Sequence, residues 1–122
     1  MSEHDEQCQL FSILALYEEA HPELKWVHAI PNGGHRHISV AKAMKAEGLK
    51  AGVWDIFVPF QRGSYHGMYI EMKYGNNHLT TNQKRFMQDL GNAYDWRICY
   101  CAIEAAQAIG EYLGIEELER IV

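Results

Sequence analysis

The segment GVWDIFVPFQRGSYHGMYIEMK, residues 52–73, decides the fold. Val53 to Phe60 is a strongly apolar, β-rich run, Gly67 to Lys73 is a second, and Gln61 to His66 is a turn region around Gly63. Folding the segment about Gly63 pairs residues whose numbers sum to 126, which sets Asp55 opposite Glu71. Side chains alternate along a strand, so Glu71 and Lys73 share one face of the returning strand while Met68, Ile70 and Met72 take the other. The rest of the chain must be arranged around this apolar hairpin.

On the N-terminal side, Leu10, Phe11, Leu14 and Tyr17 recur at helical spacing from Ser2 to about Ala20, with Ser2 and the acidic Glu3, Asp5 and Glu6 at a capped start. His21-Pro22 ends that helix. Lys25 to Ile30 reads as a short strand closed by Pro31-Asn32-Gly33-Gly34, and Ser39 to Glu47 as a small-residue helix stopped by Gly48. Beyond the hairpin, Tyr74 to Asn77 is a break and Thr80 or Thr81 caps a helix through Leu90. Trp96 to Tyr100 is a strand, Ala102 to Leu113 a helix, and Ile115 to Val122 a short terminal helix. The order αβαββαβα predicts an α/β protein, a small mixed central sheet flanked by helices, as a single domain over 1–122.

Composition narrows the class. The 122 residues are 48% hydrophobic and 22% charged with 3 prolines, which excludes disordered and low-complexity chains. No apolar run approaches the roughly 18 residues of a membrane span, and the acidic, polar N-terminus is unlike a signal peptide. The expectation is a soluble cytoplasmic protein of bacterial or phage type, with no membrane partner. Cys8, Cys99 and Cys101 form no CxxC pair, as expected of free thiols in a reducing compartment. A net charge of −5 argues against indiscriminate coating of nucleic acid but leaves room for a local basic groove. His35-Arg36-His37 lacks a matching Cys/His pair at finger spacing, so structural zinc is not expected.

The chemistry concentrates on the hairpin. Two carboxylates directly opposed across strands repel, and a cation resolves the conflict. Facing carboxylates on stiff strands suit Mg²⁺, a hard ion that takes oxygen ligands and keeps waters for a phosphate to replace. A lysine on the same face can hold or polarise an attacking water. Asp55, Glu71 and Lys73 could equally be solvated strand residues, but strands this apolar carry few charges without a reason, because burying an unpaired charge is costly. Outside the hairpin, the amides of Asn32, Gly33 and Gly34 could receive a phosphate. Arg36, Lys42 and Lys45 are candidate phosphate contacts, the two lysines lying three apart on one helix.

Asp55 followed after a hairpin by Glu71-Met72-Lys73 resembles the D…ExK signature of the PD-(D/E)XK nuclease superfamily. Ile30-Pro31-Asn32-Gly33-Gly34, Glu47-Gly48, Gly52-Val53-Trp54-Asp55, Tyr65-His66-Gly67, Ile70-Glu71-Met72-Lys73 and Gln83 are together similar to the motifs of the stand-alone VRR-NUC domain, over nearly the whole chain. The resemblance implies a restriction-endonuclease-like core that hydrolyses DNA phosphodiesters with Mg²⁺, Mn²⁺ substituting. Asp55 and Glu71 would bind metal, the carbonyl of Met72 would be a further ligand, and Lys73 would assist the water. Gln83 would approach the lysine or the attacked phosphate. The family also uses a glutamate of the first helix. With Leu10, Leu14 and Tyr17 as the buried face, Glu3 lies near its centre and Glu6 roughly 45° aside, which favours Glu3 while leaving Glu6 open.

One departure is Trp54, where the family commonly has proline. Alternation would point tryptophan to the face opposite Asp55, packed under the sheet. Minimal members of the family suggest branched DNA, such as four-way junctions or flaps, as substrate, and a symmetric homodimer would let two sites address two strands. The competing reading is a catalytically silent nucleic-acid-binding module of the same fold. Asp55, Glu71, Lys73 and Gln83 occurring together argue against it.

Overall fold

The computed structural model describes residues 2–31 and 37–122. In chain order these form α1 (Glu3–Tyr17), β1 (His28–Ala29), α2 (Ile38–Ala46), β2 (Ile56–Val58), β3 (Met68–Met72), α3 (Thr81–Leu90), β4 (Asp95–Cys99), α4 (Ala102–Leu113) and α5 (Glu116–Glu119). The four strands make one sheet in the order β1-β2-β3-β4, antiparallel at the first two junctions and parallel between β3 and β4. The parallel step needs a crossover, which α3 supplies. The hairpin register is Ile56 to Ile70, Phe57 to Tyr69 and Val58 to Met68, the pairing that folding about Gly63 requires.

The strand expected over Lys25 to Ile30 is shorter. Pro22–Trp26 is a 3₁₀ turn, and only His28 and Ala29 pair with Phe57 and Ile56. Proline opens the turn at a position that lacks a need for its missing N–H, and Leu24 and Val27, three apart, are both buried. The exposed Lys25 and Trp26 meet as a cation over a ring, 5.4 Å to the centroid.

Alternation along β2 and β3 divides the sheet into two unlike faces. Ile56, Val58, Met68, Ile70 and Met72 point into a sealed core with Leu10 and Leu14 of α1 and Ala105, Ala106 and Ile109 of α4. The alanines let α4 lie close to the strands and to α1. On the opposite face Tyr69 is stacked on Trp96, with ring centroids 5.1 Å apart, and Phe57 and Phe86 of α3 meet the same tyrosine at 4.6 and 5.2 Å. Trp54 joins this second layer, edge-on to Trp96 at 4.9 Å, and lies outside the sealed core. Strict alternation fails for it because Asp55 occupies a bend just before β2 begins.

Helix ends follow local chemistry. Ser2 and Asp5 close a capping box at α1, and Thr80 with Gln83 closes another at α3. Gly52, at φ +92°, brings the loop before β2 against α3. A Cβ at this position would stand 2.5 Å from the carbonyl oxygen of Asn82. Cys8, Cys99 and Cys101 are free thiols; burial pushes Cys99, first among its causes, up to about 12. Among the described residues no helix is long and apolar enough to cross a membrane.

Candidate active site

Asp55, Glu71 and Lys73 are all buried, at 8%, 2% and 6% exposure, so none of them is a solvated surface charge. The two carboxylates are held reciprocally across the hairpin by backbone amides. The Asp55 N–H donates to Glu71 Oε1 at 3.2 Å, and the Met72 N–H donates to Asp55 Oδ2 at 3.0 Å. A one-residue slip of the strands would break both bonds, so the register that fills the core also aims the acids. The Asp55 carbonyl accepts the Ile30 N–H at 2.7 Å, which ties the end of β1 to the same point.

The other oxygen of Glu71 carries the remaining contacts. Lys73 Nζ lies 3.4 Å from Oε2, and the Gln83 side-chain amide donates to the same atom at 2.9 Å. Gln83 therefore approaches Glu71 rather than the lysine. The reason is local: its amide oxygen is turned back to accept the Thr80 N–H at 2.9 Å in the capping box, leaving the NH₂ to point at the carboxylate. The Gln83 backbone carbonyl accepts from Trp54 Nε1 at 3.0 Å, so the residue before Asp55 and the helix bearing Gln83 are joined directly.

The two candidate glutamates of α1 separate. Glu6 Oε1 accepts the Ala102 N–H at 2.9 Å and so caps the start of α4. The pKa of Asp55 is raised chiefly by burial and, to a lesser extent, by the charge of Glu3, whose Oε2 accepts from the Asn77 side chain at 3.3 Å. The Tyr100 hydroxyl donates to the Asn77 carbonyl at 3.0 Å, pinning the loop after β3. Neither Asn77 nor Tyr100 carried a motif by which sequence reasoning would have found it. Lys42 and Lys45 stand exposed on α2, which has no buried residue. Asn32, Gly33, Gly34 and Arg36 lie outside the described residues.

Electrostatically the site opposes ionisation of both its carboxyls at once. Burial first, then the neighbouring Asp55 charge, push Glu71 up to about 8, against the downward pull of Lys73. Asp55 is raised as well, chiefly by burial. A divalent cation between these groups would relieve both effects, and the donor set is all oxygen, as Mg²⁺ or Mn²⁺ requires. Among the described residues no three His, Cys, Asp or Glu side chains form a metal cluster. The fit is therefore to an ion held by two carboxylates that keeps much of its water.

An αβαββαβαα chain whose central hairpin buries an acid pair and a lysine on one face is the architecture of a nuclease-type domain. The family model for the VRR-NUC domain matches residues 2–102, and the chain belongs to that family, within the PD-(D/E)XK superfamily. A solved structure of a VRR_NUC domain protein is similar with TM-score 0.72 and 24% identity, over 93% of this chain and 89% of that one, a likeness that shows the shared fold. Among curated proteins none matches the chain.

Proposed function

We propose that the protein is a Mg²⁺-dependent endonuclease that hydrolyses DNA phosphodiesters and prefers branched DNA. The observation that carries this reading is the buried, reciprocally held pair Asp55–Glu71 with Lys73 on the same carboxylate. Asp55 and Glu71 hold the ion with the Met72 carbonyl as a further oxygen donor, and Glu3 acts on it through a water that the ion keeps. The chemistry a bound Mg²⁺ or Mn²⁺ supplies is polarisation of a phosphoryl oxygen and acidification of a coordinated water. Lys73 orients the attacking water and offsets charge developing on the phosphate, both inside a poorly solvated site where such contacts are strengthened. Gln83 keeps Glu71 in one rotamer, so that Oε1 and Oε2 do not exchange partners. Lys42 and Lys45 on α2, with Arg36 and the amides of Asn32, Gly33 and Gly34, contact the DNA backbone. A symmetric homodimer would set two such sites on two strands.

The test is incubation with linear, flap, nicked and four-way DNA, with and without Mg²⁺ or Mn²⁺. Cleavage is expected only with metal and faster on branched substrates, with binding weakened by salt at a log-log slope near about −0.9 per neutralised phosphate. Equal cutting of linear and four-way DNA overturns the structural preference. Binding without cutting under either metal overturns the enzymatic reading in favour of a silent binding module.

A further inference from the structure

Between α3 and the loop entering β2 is an open cleft of about 370 Å³, within the roughly 300–1,000 Å³ typical of small-molecule sites. One wall is a single helical stripe of α3, with Asn82, Arg85, Phe86 and Asp89 spaced three and four apart. The other wall is the loop entering β2, with Lys50, Ala51 and Val53. Both walls run on along the chain into the candidate active site. Val53 is two residues before Asp55, and Asn82 precedes Gln83, whose amide holds Glu71.

Resting on the nuclease reading above, we infer that this cleft seats one unpaired nucleotide of the DNA next to the phosphate that is cut. Three properties select that occupant. Lys50 and Arg85 form no ion pair among the described residues, in a chain with net charge −5, so two cations are left to meet a phosphate. Val53, Ala51 and the ring of Phe86 give an apolar floor, and a base laid on an aromatic side chain is tolerated whatever its identity. Asn82 and Asp89 place amide and carboxylate groups at the rim, able to pair with a base edge that a duplex would hide. The N-terminal half of α3 favours the anion, which sets the phosphate toward Gln83 and the base toward Phe86 and Asp89. A paired nucleotide cannot enter, so the cleft selects DNA with a flap or unpaired branch.

The test reads binding without metal. The probe is a duplex carrying one unpaired 2-aminopurine nucleotide as a flap, compared with the fully paired duplex. The wild-type protein is expected to quench the flap fluorophore and to bind the flap about tenfold more tightly than the duplex. Ala51→Trp, which fills the cleft from an exposed turn, is expected to abolish both effects. If that variant melts lower than wild type, the double variant Lys50→Ala, Arg85→Ala carries the test and should lose more affinity for the flap than for the duplex. Absence of quenching in the wild type, or an unchanged flap preference in a well-folded variant, overturns the inference. Cleavage in Mg²⁺ is scored separately: cutting without quenching removes the cleft and leaves the nuclease, whereas quenching without cutting does the reverse.

Discussion

The two faces of the hairpin are built from alternate residues of the same strands and have opposite properties. Ile56, Ile70 and Met72 are sealed in the apolar core with α1 and α4, whereas Asp55 and Glu71, their immediate neighbours in the chain, are buried too and unequally satisfied. Stability is concentrated on one side and unrelieved charge on the other. A protein that interleaves them at a period of two can place strained groups on its most rigid element, because the adjacent apolar residues hold the backbone that aims them.

The largest expected effect separates the faces. Asp55→Asn, Glu71→Gln and Lys73→Ala should each lower cleavage at least about a hundredfold, roughly 2.7 kcal/mol of transition-state stabilisation, while remaining folded. Ile70→Ala should do the opposite, costing about 2–5 kcal/mol of stability and more than about 10 °C in melting temperature, with cleavage by the folded protein near wild type. Parallel melts and cleavage rates decide the matter. A hairpin whose charged variants all unfold, or whose Ile70→Ala variant is folded and inactive, does not divide its labour by face.

A smaller effect comes from pH. Glu71 ionises near 4.5 in the unfolded chain and about 8 in the fold, so between those values the folded state holds the extra proton. The metal-free protein should therefore be most stable below about pH 4.5, as far as this group is concerned, and lose stability as pH rises toward 8, by more than about 5 °C. Glu71→Gln should flatten that slope. Asp55→Asn keeps an oxygen for the Met72 N–H and removes the repulsion, so it should melt no lower than wild type without metal. Mg²⁺ at ten times its dissociation constant should return about 1.4 kcal/mol to the wild type at pH 8 and little to Asp55→Asn. Equal metal shifts in the two proteins would place the ion elsewhere.

The smallest effect sharpens the contrast between the acids of α1. Glu6→Ala should cost on the order of 1 kcal/mol through the lost cap on Ala102 and leave cleavage unchanged, as thermal melts and rates together will show. Loss of cleavage in a stable Glu6→Ala protein would return Glu6 to the site.

The hairpin was legible because two apolar runs flank a glycine turn, and a period of two leaves one register that buries the methionines. The choice between Glu3 and Glu6 was legible only in part. A helical wheel orders residues around α1 but does not contain the N-terminus of α4, which is what claims Glu6. Local sequence overextends β1 because its two residues are strand by virtue of pairing with Ile56 and Phe57, and nothing within Lys25 to Ile30 marks where a 3₁₀ turn gives way. Alternation points Trp54 to the wrong side, since it presumes a continuous strand and a bend at Asp55 interrupts it. Gln83 was recognised by its place among the motifs, while its partner depended on a capping box whose geometry only the folded helix displays.

Gly52 adds a constraint of a different kind, set by an atom that is missing. With no Cβ, the loop before β2 closes on the carbonyl of Asn82, one residue from Gln83. A methyl group there would have to wedge α3 outward, and the displacement would pass to the amide on Glu71 and to the indole of Trp54 bound at the same turn. The alignment of the acid pair thus has a tolerance smaller than one carbon, controlled from a position that touches neither carboxylate. Drift at residue 52 would detune the site while leaving every proposed catalytic residue in place.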